Sequence, residues 1–177
     1  MEDHLHGPLQ TTHSKTANAQ QYSRYIRKRP DTTVDPSEDH TWCFTDGATR
    51  GAYACVVITE RGIREYTKRV HRDSLAKRNV TAEMRAVAVA LLRCRPHQRV
   101  YVVSDYLGTG CWLHGKWRIK NSDALKILRL MSVLIERRGL EVVFIHHKGH
   151  QFDTSDFTRY NSRADELCEI AIRDQEP

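Results

Sequence analysis

Four acidic side chains stand out because of the apolar sequence around them. Asp46 ends the stretch WCFTD, and Asp105 ends the stretch YVVSD. Glu83 lies in the first turn of a predicted helix, and Asp165 lies beside the apolar stripe of another. A carboxylate against an apolar strand is costly unless it is paired or binds a cation. Together the four acids indicate carboxylates converging on hard cations such as Mg²⁺, whose charge would offset their repulsion.

Each acid taken alone has an ordinary structural explanation. Asp46 and Gly47 form a common turn dipeptide, and the helix dipole favours Glu83 near a helix N-terminus. Two acids that end neighbouring strands are harder to explain in this way. The metal site is therefore predicted from the set of four and not from any single residue.

A second candidate metal site is the stretch FIHHKGH at residues 144–150. Histidine is a common transition-metal ligand and a proton carrier near neutral pH, so a zinc-dependent hydrolase is an alternative. Side chains alternate along a strand, and His146 and His147 would therefore point to opposite sides. These two histidines are not expected to share one ion.

The elements that must position these side chains are five strands and three helices. Strands are predicted at residues 41–47, 52–59, 62–71, 99–105 and 140–147, and helices at about residues 81–94, 122–138 and 161–173. Thr81 is the expected N-cap of the first helix, and Gly139 is the expected end of the second. Strands that begin as a meander and then alternate with helices predict a mixed α/β sheet.

The chain fits one domain with a polar tail. Residues 1–40 have little apolar periodicity and are predicted to be mostly disordered, whereas residues 41–177 form the folded domain. The formal net charge is +6, and basic residues concentrate in residues 61–78, as a polyphosphate partner would favour. A solvated surface without a partner explains this charge equally well.

The composition also bears on the compartment. No apolar run is long enough for a membrane span, and the N-terminus lacks the basic-then-apolar pattern of a secretion signal. Five cysteines without a CxxC pair indicate buried thiols in a reducing environment. We expect a protein of the cytoplasm, the nucleus or a viral replication compartment that is not secreted.

Five short motifs follow one another in the order found in type 1 ribonucleases H, which the sequence resembles over residues 41–173. They are TDGA at residues 45–48, NVTAEM at 79–84, SD at 104–105, KGH at 148–150 and NSRADEL at 161–167. Each motif is short, and the resemblance depends on their joint order. It implies the ribonuclease H-like fold, a five-stranded mixed sheet of order 3-2-1-4-5 flanked by helices.

The resemblance implies a metal-dependent endonuclease that cuts the RNA strand of RNA·DNA hybrids and leaves 5′-phosphate ends. Two Mg²⁺ ions, with Mn²⁺ as a substitute, would be its cofactors. Asp46, Glu83, Asp105 and Asp165 would be both catalytic residues and metal ligands. His150, in the KGH motif, would assist proton movement without binding the metal directly. The implied partner is the hybrid, and a monomer is expected.

The resemblance also implies contacts with both strands of the hybrid. One group of residues would read the 2′-hydroxyls that separate RNA from DNA, and another would hold the DNA strand. The RNA-side residues are Gly47, Ala48 and Asn79, and the DNA-side residues are Lys77, Arg78, Trp112 and Trp117. Core packing explains the two tryptophans equally well.

One departure from the family keeps other functions open. The glycine-rich loop that follows the first aspartate in the family is reduced here to ATRG at residues 48–51. The same fold and metal chemistry could therefore serve double-stranded RNA or structured DNA. A non-catalytic hybrid-binding module is a further alternative, which the basic residues favour and the presence of all four acids disfavours.

Overall fold

A six-stranded mixed sheet forms the centre of the protein. The computed structural model describes residues 33–69, 78–148 and 154–174, together with the backbone of Ser23–Ile26. The strands are β1 (Ser23–Ile26), β2 (His40–Gly47), β3 (Ala52–Thr59), β4 (Gly62–Arg69), β5 (Arg99–Ser104) and β6 (Glu141–His146). The helices are α1 (Arg78–Arg93), α2 (Leu107–Leu113), α3 (Ser122–Arg138) and α4 (Asp156–Arg173).

The strand order confirms the predicted topology. The sheet runs β1-β6-β5-β2-β3-β4, so the five strands β2 to β6 take the order 3-2-1-4-5 when they are counted along the chain. β2, β3 and β4 pair antiparallel, as the predicted meander requires. β5 lies parallel to both β2 and β6. Parallel strands need cover on both faces, which agrees with the apolar sequences of β5 and β6.

Helices cover both faces of the sheet. On one face α1 and α3 bury a core that includes Met84 and Met131. On the other face α4 packs Phe157 against Phe44, with ring centroids 5.8 Å apart. Each buried side chain of this size contributes about 1.5–3 kcal/mol. None of the helices in the described ranges is long and apolar enough to cross a membrane.

The ends of α3 follow from its sequence. The Asn121 side chain accepts hydrogen bonds from the backbone N–H groups of Asp123 and Ala124. Gly139 ends the helix in the left-handed conformation, with φ +59°, which glycine adopts at little cost. These two signals explain why the predicted range 122–138 is confirmed without change.

Two helices begin earlier than the sequence predicts. α1 begins at Arg78, so Thr81 is buried inside its first turns and the predicted N-cap is wrong. α4 begins at Asp156, because the Ser155 side chain accepts a hydrogen bond from the Thr158 backbone N–H. Phe157 extends the buried stripe of α4 by one turn toward the N-terminus, and this earlier anchor was missed.

Two elements were not predicted at all. β1 falls within the predicted tail and pairs parallel with β6, with Tyr25 opposite Phe144. The division of the chain at residue 40 stays a prediction. α2 follows β5 directly and has the sequence LGTGCWL. Its two glycines and its threonine are weak helix formers, so tertiary packing of Cys111 and Leu113 must hold it.

Removing the cap of α3 should weaken the fold by a defined amount. Asn121→Ala leaves two backbone N–H groups without their partner, and we expect a loss of about 1 kcal/mol in the free energy of unfolding. Asn121→Asp keeps an acceptor at the same position and should lose much less. Urea denaturation of both variants measures the difference, and equal losses would contradict the assigned cap.

Candidate active site

Three carboxylates converge at the carboxyl ends of the central strands β2 and β5. Asp46 lies near the end of β2, Asp105 follows the end of β5, and Glu83 lies in α1. One ligand oxygen from each of the three residues lies within 4.8 Å of the other two. We call these three residues the acidic cluster. It brings together three of the four acids that the sequence singled out.

The topology explains why two of these acids meet. β2 and β5 are parallel neighbours, with Phe44 opposite Val103, so the carboxyl ends of both strands reach the same edge. Asp46 and Asp105 follow closely after this pair. Two acids that are far apart in sequence are therefore neighbours because of the strand order.

Gly47 explains how Glu83 joins them. A Cβ atom at position 47 would lie 2.2 Å from the backbone N of Glu83 and 2.6 Å from the carbonyl C of Ala82. Real Cβ atoms do not approach backbone this closely, so only glycine lets α1 lie against the end of β2. The role of Gly47 at this point is close packing of backbone on backbone.

Burial and mutual repulsion raise the pKa of two carboxyl groups of the acidic cluster. The Glu83 side chain is buried, and burial followed by the charges of Asp46 and Asp105 raises its pKa to about 10. The pKa of Asp46 rises to about 6, chiefly through burial and then through the charge of Asp105. A hydrogen bond from the Gly47 backbone N–H favours both charged forms but does not offset these effects.

The acidic cluster fits a divalent cation. Among the described residues, Glu83 Oε2 is buried and has no hydrogen-bond partner, as expected of an oxygen that needs a cation. All the donors are carboxylate oxygens, which are the ligands that hard ions such as Mg²⁺ prefer. A bound cation would reverse the pKa shifts, because its charge favours the ionised carboxylates.

The fourth acid stands apart from the acidic cluster. Asp165 is exposed on α4 and does not belong to the group of oxygens within 4.8 Å of one another. Its charge nevertheless contributes to the raised pKa of Asp46, so it faces the same region. The structure thus places Asp165 beside the acidic cluster and not inside it.

Cys168 contributes to the site in a way that the sequence did not reveal. It lies on α4 three residues after Asp165, and its Sγ donates a hydrogen bond to the Asp46 carbonyl oxygen at 3.5 Å. Burial raises the pKa of the thiol, and the charge of Asp46 raises it further. This neutral thiol fixes the end of β2 against α4. Its place in an apolar helical stripe indicated only core packing.

Comparison with known proteins identifies the family at this point. Residues 38–173 match the RNase H family. The chain belongs to the RNase H family. This confirms the resemblance to the type 1 ribonucleases H that the five motifs indicated. No curated protein matches the sequence.

Solved RNase H structures share the fold. RNase H1 of the archaeon Halobacterium salinarum is 23% identical, with a TM-score of 0.59 over 76% of this chain and 98% of that chain. An N-terminal RNase H domain from Mycobacterium tuberculosis is 21% identical, with a TM-score of 0.57 over 75% and 98%. LC11-RNase H1, in complex with an RNA/DNA hybrid, is 20% identical, with a TM-score of 0.60 over 76% and 97%. At such identities the likeness shows the fold.

The histidines of this RNase H chain do not form a common site among the described residues. His146 Nε2 lies 3.0 Å from the Asp105 carbonyl oxygen, which places it next to the acidic cluster. His147 is buried on the other side of the strand, with its ring centroid 6.0 Å from that of Phe157. Their opposite directions confirm the prediction from strand alternation. His150 lies outside the described residues.

Of the residues predicted to contact substrate, some have described side chains and some do not. Ala48 lies next to the acidic cluster in sequence, and Asn79 is exposed in the first turn of α1. Lys77 lies outside the described residues, and Arg78 begins α1 with a side chain that is not described. These four residues stay predictions as substrate contacts.

The two predicted tryptophans form one aromatic cluster with a tyrosine. Trp112 packs partly against the core, with its ring centroid 5.8 Å from that of Tyr106 and 6.2 Å from that of Trp117. Trp117 is 47% exposed. Packing therefore accounts for Trp112, whereas Trp117 offers an aromatic surface to solvent.

The raised pKa values predict how the metal-free protein responds to pH. Folded Glu83 holds a proton up to about pH 10, whereas an unfolded glutamate releases it near pH 4.3. The unfolded state therefore binds fewer protons between these values, and stability should fall as pH rises. In EDTA, thermal unfolding should shift to lower temperature from about pH 7.5 to pH 9, a window above the pKa of Asp46, which is about 6.

Glu83→Gln is the matched control for this pH dependence. Glutamine keeps the shape but cannot ionise, so the unfolding temperature of this variant should change much less above about pH 7.5. Saturating Mg²⁺ should also remove the fall in the original protein, since the cation stabilises the ionised cluster. A fall of equal size in Glu83→Gln would show that other groups cause it.

Proposed function

We propose that this RNase H chain is a metal-dependent endonuclease that hydrolyses the RNA strand of RNA·DNA hybrids and leaves 5′-phosphate ends. The observation that supports it most directly is the convergence of Asp46, Glu83 and Asp105 within an RNase H fold. An isolated acidic patch is common on proteins. Three acids held together although burial disfavours the charges of Glu83 and Asp46 indicate a site built for cations.

Asp46, Glu83 and Asp105 would hold the metal, with Asp165 completing the shell from α4. Two bound Mg²⁺ ions, or Mn²⁺ in their place, would activate a water molecule and stabilise the leaving oxygen of the phosphodiester. The charge of the bound ions would also offset the repulsion between these carboxylates and the scissile phosphate. His150 would assist proton movement, as the KGH motif implies.

The RNA·DNA hybrid is the preferred substrate in this proposal. LC11-RNase H1, which shares the fold, is described in complex with an RNA/DNA hybrid. Gly47, Ala48 and Asn79 would face the RNA strand, where contacts to 2′-hydroxyls would separate it from DNA. The DNA strand would lie toward Lys77, Arg78, Trp112 and Trp117.

The short loop between β2 and β3 favours a second candidate substrate. The Gly51 backbone N–H donates to the Ala48 carbonyl, and the Ala48 N–H donates to the Ala52 carbonyl, both at 2.9 Å. These bonds close a tight turn with little backbone left to contact an RNA strand. The same site could then act on double-stranded RNA or structured DNA.

Replacing Asp46 should separate chemistry from folding. Asp46→Asn should reduce Mg²⁺-dependent cleavage of a labelled hybrid by at least about 10³-fold, because a metal ligand is lost. In EDTA at pH 8 the variant should unfold at a higher temperature than the original protein, since it removes one repelling charge. Asp174→Asn, at the far end of α4, is the control and should leave both values unchanged.

A substrate panel tests the specificity. Hybrid, double-stranded RNA and branched DNA should be compared with Mg²⁺ and with Mn²⁺, and the hybrid should be cleaved fastest. Faster cleavage of double-stranded RNA or branched DNA would show that this nucleic acid, and not the hybrid, is the preferred substrate. Full activity of Asp46→Asn, or binding of hybrid without turnover under all conditions, would overturn the catalytic role.

A further inference from the structure

Basic and aromatic side chains lie on the α1 side of the edge strand β4 and on the neighbouring side of α1, and we call this surface the basic groove. Alternation places every second residue of β4 on the face that α1 covers. The register pairs Tyr66 with Cys55, which is buried in the core under α1. Tyr66 and the residues two positions before and after it therefore lie on the α1 face of the sheet. The residues that line this basic groove are Arg64, Tyr66 and Lys68 of β4, Tyr53 of β3, and Arg85 and Arg93 of α1.

The arginines of α1 stand over the tyrosines of the sheet. Arg85 and Arg93 are eight residues apart, about two helical turns, so they lie on one side of the helix. The Arg93 guanidinium carbon lies 4.6 Å from the centroid of the Tyr66 ring. The charge of Arg85 acts on Tyr53 near the start of β3. Arginine stacked on an aromatic ring keeps its N–H groups available for a phosphate.

The positive charge of the basic groove is not neutralised within the described structure. Arg64, Lys68 and Arg85 form no ion pair with any described residue, and Arg85 Nε is buried without a hydrogen-bond partner there. The charges of Arg64, Lys68 and Arg85 are therefore available to an external anion.

The acids of β4 and of the turn before it are engaged elsewhere. Glu65 points to the opposite face of β4, where both its carboxylate oxygens accept hydrogen bonds from Arg163 at 2.8 Å. Glu60 lies beyond the start of β4 and pairs with Arg95 at 2.7 Å. The groove therefore presents cations and aromatic rings to whatever occupies it.

The basic groove is continuous with the acidic cluster. Tyr53 pairs with Gly47 across β2 and β3 and with Lys68 across β3 and β4. A polyanion bound at the acidic cluster through metal ions would therefore contact these cations if it extended from the ends of β2 and β5 toward the edge strand β4.

We propose that the basic groove binds the phosphate backbone of the nucleic acid beyond the point of cleavage. This inference rests on the proposed function, and it adds a contact that is separate from the phosphate grip implied for Lys77 and Arg78. Arg64 and Lys68 neutralise phosphates along β4, and Arg85 supplies donors from the side of α1. The groove positions the substrate and takes no part in the chemistry.

The test compares two double variants that remove the same charge. Arg64→Gln with Lys68→Gln removes two exposed cations of the groove, whereas Lys126→Gln with Arg129→Gln removes two exposed cations of α3. Binding of a fluorescent hybrid is measured by anisotropy in EDTA at several salt concentrations. A long hybrid and a short hybrid that spans only the acidic cluster are compared.

The groove variant should bind the long hybrid several-fold more weakly than the α3 variant, with no difference for the short one. The plot of log affinity against log salt should become shallower by about 0.9 for each lost phosphate contact. In Mg²⁺ the KM for the long hybrid should rise while kcat stays unchanged. Equal affinity and equal salt dependence of the two variants would overturn the proposal.

These outcomes are distinct from failure of the proposed function. Binding is measured without turnover, so a protein that binds through the groove but never cleaves would overturn only the endonuclease. A protein that cleaves hybrids while both double variants behave alike would overturn only the groove.

Discussion

Repulsion among three carboxylates is the constraint on which the rest of the structure depends. Two like charges 4 Å apart repel by about 4 kcal/mol at an effective dielectric constant near 20, against a total stability of about 5–15 kcal/mol. Asp46, Glu83 and Asp105 lie close enough for this cost to apply to each pair. The two cores, the approach of α1 at Gly47 and the Cys168 hydrogen bond hold them there, and proton uptake or a cation relieves the repulsion.

The main elements could be predicted from the sequence because local signals and packing agree in them. β3 and α3 have the predicted bounds, since apolar patterning, Asn121 and Gly139 all indicate the same ends. α2 and β1 could not be predicted in this way. α2 is built from weak helix formers held by tertiary contacts, and β1 is a short strand whose pairing with β6 depends on a distant part of the chain.

The site was predictable where residue type limits the chemistry. Acids at the ends of apolar strands have few structural uses, so Asp46 and Asp105 were found from the sequence alone. Cys168 was not, because it acts through a backbone carbonyl that only the fold brings near. The sequence showed the basic groove only as an excess of positive charge. Strand alternation decides which of those cations share a face with Tyr66, and only the structure shows Arg93 stacked on the Tyr66 ring.

The central claim is that the acidic cluster, and not the histidines, holds the metal. Anomalous diffraction from crystals grown with Mn²⁺ tests it directly, because the signal locates each ion among its ligands. We expect peaks in contact with Asp46, Glu83 and Asp105. Absence of a peak there at saturating Mn²⁺, or peaks only at His146 or His147, would contradict the proposed site.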